Sequence, residues 1–132
     1  MTQVALVQIC VDERLNHELI RTQVKHKLAE ANLQAQRILI LNEVGGNLGN
    51  NFDNALQMFV SAQARIVFAA VLHHDDCKAA QAGLRQPLTE TIARLEALLA
   101  KHSVTCFVTS GSINSNTNDV LWYALHHIEA TS

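Results

Sequence analysis

The chain has 132 residues, 48% hydrophobic and 17% charged, with one proline and five glycines. This composition excludes disorder and a linker-rich architecture, and the length suits one domain (1–132) able to bury a real core. A formal charge of −2 offers no basic footprint for nucleic acid, and no apolar stretch approaches the ~20 residues needed to span a bilayer, so neither partner is expected.

The N-terminus lacks a basic region followed by an apolar one, so no secretory signal is read there. Three cysteines, an odd number and widely spaced, do not make a disulfide framework. A reducing cytoplasm is the expected location, and it would keep the thiols free for metal.

Val4–Ile9 is a short apolar run that predicts an opening strand. Leu15 through Leu33 carries Leu19, Ile20, Val24, Leu28 and Leu33 at helical spacing. Arg37–Leu41 reads as a second strand. It is followed by residues 42–51, where three glycines and four asparagines in ten positions mark a loop with special backbone angles. Phe52–Gln63 predicts a helix with Leu56, Phe59 and Val60 on one side.

Ala64–Leu72 is continuously apolar from Ile66, as a central parallel strand is. Lys78 to Lys101 is helical, with a break near Gly83–Pro87. Its second part presents Leu88, Ile92, Leu95, Leu98 and Leu99 to the core. Val104–Val108 is a fourth strand, and the polar loop Thr109–Asn118 precedes a final amphipathic segment from Val120 to Ile128. The alternation predicts a single α/β domain: a central, mostly parallel sheet of about four strands, right-handed crossovers and flanking helices.

Two segments far apart in the chain look like halves of one metal site: Cys10-Val11-Asp12-Glu13-Arg14-Leu15 and His73-His74-Asp75-Asp76-Cys77. Each ends an apolar strand, where ligands of open α/β sheets gather. Cys10, His74 and Cys77 would give zinc a Cys₂His set with a fourth position open, the pattern of catalytic rather than structural zinc. Two thiolates cancel the ion's charge, so bound water needs help from a neighbour. Asp12 and Arg14 are the candidates. A guanidinium would hold the carboxylate ionised and fixed in direction, ready to accept a hydrogen bond from that water. Asp12 could instead swing onto zinc and close the site.

Cys10-x-Asp12-x-Arg14 and His74-x-x-Cys77 are similar to the two signature motifs of the β-class carbonic anhydrases. The His73-His74-Asp75-Asp76-Cys77 run resembles the corresponding segment of a small microbial branch, as does Leu15 after Arg14. Asn42-Glu43-Val44-Gly45-Gly46 resembles the family's turn after the second strand, with only the glycines matching. The resemblance spans residues 4 to about 125 in strand order and motif placement. It implies zinc on Cys10, His74 and Cys77, controlled by Asp12 and Arg14 as the catalytic dyad. The implied reaction is the reversible hydration of CO₂ to bicarbonate by zinc-bound hydroxide, in a homodimer or higher homo-oligomer.

Three departures from the family pattern carry expectations of their own. Nine residues precede Cys10, so the helical arm usual before the first cysteine motif is expected to be missing. Lys78 stands where the family has glycine. Asn42 and Glu43 replace Arg-Asn, which is expected to remove hydrogen bonds bracing the site.

The remaining candidates read more simply. Cys106 sits mid-strand and is expected in the core. His73 is expected to pack beside the ligand or face a neighbouring strand, and His17, His26 and His102 to be solvated. His126 and His127 read as surface, Asp75 and Asp76 as a turn or helix cap, and Gly45–Gly46 as backbone geometry. Two alternatives to a CO₂ hydratase stand: a non-catalytic zinc-binding assembly or regulatory module, and a hydrolase of a CO₂ analogue such as CS₂ or COS. A weaker third is a redox or metal-sensing protein with a reversible Cys10–Cys77 disulfide.

Overall fold

The structure is a computed structural model that describes residues 1–129. The chain runs β1 (Gln3–Cys10), α1 (His17–Glu30), β2 (Arg37–Glu43), α2 (Asn50–Ser61), β3 (Arg65–His74), α3 (Lys78–Gln81), α4 (Leu88–Lys101), β4 (Cys106–Ile113), β5 (Val120–Trp122) and β6 (His126–Ile128). The sheet order is β2-β1-β3-β4-β5, with β6 also pairing with β4.

Four strands, β2, β1, β3 and β4, are parallel to their neighbours, as the apolar runs predict. The final amphipathic segment supplies two short strands that run antiparallel against β4. Three residues each are too few for a hydrophobic period to be readable. Trp122 is nonetheless positioned, its ring packing edge-on against Phe68 with centroids 6.1 Å apart.

Period-2 alternation sends side chains of β1 and β3 to two separate cores. On one face Val4, Leu6, Ala69 and Val71 pack with Phe52, Leu56, Phe59, Leu95 and Leu99 of α2 and α4. On the other, Ala5, Val7, Ile9, Phe68, Ala70 and Leu72 meet Ile20, Val24 and Leu28 of α1. Phe68 is fully buried; truncating such a side chain to alanine costs about 3–5 kcal/mol.

Helix α1 starts where Asn16 caps it, its Oδ1 accepting from Glu18 N at 2.9 Å and Leu19 N at 3.1 Å. Two residues expected on core faces point outward instead. Leu19 of α1 and Val60 of α2 are exposed, because each helix turns a narrower stripe to the sheet than its apolar content suggests.

The parallel arrangement places the C-terminal ends of β1 and β3 side by side. After β2 the chain makes a 3₁₀ turn, Val44–Gly46, with Gly45 and Gly46 both left-handed at φ 68° and 71°. The turn lies tight against β3: a Cβ on Gly46 would come 3.3 Å from the His73 ring. It is backbone geometry, as the sequence suggests. Among the described residues no helix is long and apolar enough to cross a membrane.

Candidate metal centre

Cys10 is the last residue of β1, His74 the last of β3, and Cys77 closes the turn after it. All three are buried, and one donor atom from each lies within 4.8 Å of the others, a grouping that could hold a metal ion. The Cys10 and Cys77 sulfurs are 3.9 Å apart and both thiols are free. Two sulfurs each about 2.3 Å from a tetrahedral zinc would lie about 3.8 Å apart, so the spacing fits one edge of that coordination.

His74 is the informative member. Its Nδ1 is 3.1 Å from Ser115 Oγ, while its Nε2 is buried with no hydrogen-bond partner. Ser115 Oγ in turn lies 2.7 Å from Asp75 Oδ1. The network closes when Nδ1–H donates to Ser115 and the hydroxyl donates to Asp75, which leaves the Nε2 lone pair free. That tautomer, fixed from behind by a hydroxyl–carboxylate relay, is the usual arrangement of a metal-binding imidazole.

The thiols point the same way. Burial, together with the neighbouring Cys77, pushes the Cys10 thiol above its ordinary pKa, against the opposing pull of the Gly45 backbone N–H. A second thiolate beside the first is unfavourable without a cation, and a divalent metal removes that conflict.

Asp12 and Arg14 form the pair expected of them. Arg14 donates to Asp12 from its backbone N at 2.9 Å, from Nε at 3.0 Å and from Nη2 at 2.6 Å. These bonds hold the Asp12 carboxyl well below the usual carboxylate range. Asp12 Oδ2 stands 3.9 Å from His74 Nε2, beside the donor group without joining it. The guanidinium also reaches Asp76, with Nη1 2.8 Å from Oδ2. Asp75 and Asp76 thus do more than form a turn. They tie the segment between the second and third donors to Ser115 and to Arg14.

Several supporting residues escape a reading of the sequence. Ser115 and Asn118 belong to the polar loop after β4, and Asn118 holds the backbone of both Asn16 and Arg14. Arg85, from the break between α3 and α4, donates to the His74 carbonyl at 3.2 Å. Asn42 donates from Nδ2 to the Cys10 carbonyl at 3.1 Å. Whatever bonds the family's Arg-Asn pair would make, both strand ends are held here, by Asn42 and Arg85. Neither contact has a local sequence signal.

One correction concerns His102, which is not solvated. Its side chain is 7% exposed and its Nε2 lies 2.6 Å from Asp53 Oδ1. His17, His26, His126 and His127 are exposed as expected. His73 packs against the Gly46 turn, and burial first, then Arg85 and His74, pushes it down to about 4, so it stays neutral. Cys106 is core, its thiol pushed up to about 12 by burial.

A pocket of about 370 Å³ opens over the donor group. Val11, Val44, Ala79, Ala82 and Leu84 give it apolar walls, with Asp12 and Lys78 among its polar lining. An ion at the donor set would be reachable by a small, weakly polar molecule.

These features define an α/β protein with a buried Cys₂His donor group at the carboxyl ends of two central parallel strands. No protein-family model matches the chain, and no curated protein matches it. Solved structures do. A carbonic anhydrase from Streptococcus mutans superposes with a TM-score of 0.59 at 18% identity, covering 91% of this chain and 81% of its own. A Coccomyxa β-carbonic anhydrase in complex with acetazolamide gives 0.60 at 16% identity, over 96% and 73%. A carbon disulfide hydrolase gives 0.55 at 12% identity, over 89% and 76%. The chain has the fold of the β-carbonic anhydrases.

Proposed function

We propose that the protein is a zinc enzyme interconverting CO₂ and bicarbonate, with Cys10, His74 and Cys77 holding the ion and Asp12 with Arg14 governing the water. The observation that carries this reading is the partnerless, buried Nε2 of His74, grouped with two sulfurs spaced as one tetrahedral edge. Zinc, when bound, supplies a Lewis acid that brings a water molecule's pKa towards neutrality.

The protein's own residues do the rest. Arg14 keeps Asp12 ionised and fixed, so Oδ2 can accept a hydrogen bond from water beside the donor group and orient its lone pair towards the pocket. Because Arg14 is shared with Asp76, the carboxylate is restrained from rotating onto the donor set. Val11, Val44 and Leu84 offer a neutral linear substrate an apolar approach. The same mouth would admit CS₂ or COS, and the fold is also that of a carbon disulfide hydrolase.

Stopped-flow CO₂ hydration on zinc-loaded protein tests the proposal, with CS₂ and COS turnover as parallel arms. Hydration above the buffer rate, lost in Asp12→Ala and Cys77→Ser, is expected. No rate with CO₂ at neutral or alkaline pH would overturn it. Turnover of CS₂ or COS alone would then make it an analogue hydrolase, and zinc without any turnover a binding module. A homo-oligomer and a cytoplasmic location complete the proposal; three free buried cysteines suit a reducing compartment.

A further inference from the structure

His73 and His74 leave β3 on opposite faces, so the segment that serves the donor group also lines a second cavity behind it. This cavity has a volume of about 440 Å³ and lies between the end of β4, β5 and the start of α4, lined by His73, the metal-donor candidate His74, Arg85, Gln86, Ser112 and Tyr123, among others. Besides His74, two of these residues carry buried polar atoms with no partner in the protein, His73 Nε2 and Gln86 Oε1. A buried polar group without a partner is costly, and folded proteins rarely keep two together.

Arg85 adds charge. It is half-buried, makes no ion pair among the described residues, and uses Nη1 on the His74 carbonyl. Its Nε and Nη2 make no hydrogen bond among the described residues, and that edge is the one that grips an oxyanion with two parallel bonds. Leu88, which also lines the cavity, opens α4 without a side-chain cap. The one carboxylate in the lining, Asp75, has Oδ1 engaged by the Ser115 backbone N–H and hydroxyl.

We propose that the cavity bounded by His73, Arg85, Gln86, Ser112 and Tyr123 is a binding site for a small oxyanion, a phosphate or a carboxylate, gripped by the free edge of Arg85. The site adjoins the proposed metal centre through His74, but its anion-binding groups are not among the metal donors. Ser112 and Tyr123 supply hydroxyls that donate to the remaining oxygens.

Isothermal titration of the full chain with inorganic phosphate, and separately with acetate, at constant ionic strength tests the proposal. It is run on the wild-type protein and on Cys77→Ser, which disables the donor group but leaves the cavity intact. Saturable 1:1 binding with a Kd of about 1 mM or tighter is expected for at least one anion. It should persist in Cys77→Ser and weaken about tenfold in Arg85→Gln. The stronger of the two anions identifies the ligand's chemistry. No saturable binding of either anion overturns the proposal, as does binding lost in Cys77→Ser or unchanged in Arg85→Gln. Should Arg85→Gln not fold, amide chemical-shift changes on anion addition decide the matter. Shifts centred on Ser112 and Tyr123 support the site, and shifts centred on Cys10 and Val11 overturn it.

Discussion

The protein contains two buried histidines with carboxylates in reach, and they are finished differently. His102, after α4, is 7% exposed at its side chain and spends Nε2 on Asp53, whose other oxygen is taken by Lys101 at 2.8 Å. His74, at the end of β3, is 1% exposed at its side chain; Ser115 occupies one nitrogen and the other has no partner. A cluster whose members are all engaged joins two helices. A cluster with one lone pair left over, grouped with two thiols, is prepared for something else. The lone pair left over, more than the residue type, distinguishes the two clusters.

Substitutions at the two histidines break this comparison most sharply. Elemental analysis after zinc loading should find about one ion per chain in the wild type and in His102→Gln, but well under one in His74→Ala. Equal zinc in both variants would erase the distinction. Ser115→Ala removes the group that orients His74, and the expected loss of zinc affinity is about 10- to 100-fold, read by competition with a chromophoric chelator. Unchanged affinity would mean that the imidazole is held by packing alone.

The stability of the closed cluster sets the next scale. His102→Ala leaves Asp53 without its shortest partner and should lower the midpoint of a urea titration of metal-free protein, with Lys101 still holding the other oxygen. A smaller effect belongs to pH. His102 first, then Lys101, hold the Asp53 carboxyl below its ordinary value of 3.8. A depressed carboxylate contributes stability that is present above its unfolded pKa and lost as pH falls through the folded one. The acid limb of a stability–pH curve should therefore flatten in Asp53→Asn. An unaltered limb below pH 3.8 would remove Asp53 from the account.

The grouping of Cys10, His74 and Cys77 is legible because each half of the set is compact in sequence. Cys10 ends one apolar run, and His74 and Cys77 bracket the end of another, so strand topology alone brings them together. Asp12 and Arg14 were legible for the same reason, being two residues apart. Ser115, Asn118, Arg85 and Asn42 carried no comparable signal. Each reaches the site from a loop or a strand end through a contact that depends on how the whole sheet is assembled. Asn118, for instance, bonds Asn16 across 102 positions of sequence. His102 was misread because its partner lies 49 residues away on another helix. The last two strands were hidden by their brevity, since a three-residue strand has no period to detect.

The split of the donor group between β1 and β3 has a mechanical consequence. Cys10 and Cys77 are 67 positions apart, and an ion held by both would fasten neighbouring central strands while closing most of the first half of the chain into a loop. A permanent cross-link of that span would remove about 4 kcal/mol of chain entropy from the unfolded state. An ion is a removable rivet, so the protection would last only while it is seated. β1 could then not peel from β3 at that end of the sheet without first letting the ion go, and the resistance of the domain to force or proteolysis would follow the free metal concentration around it.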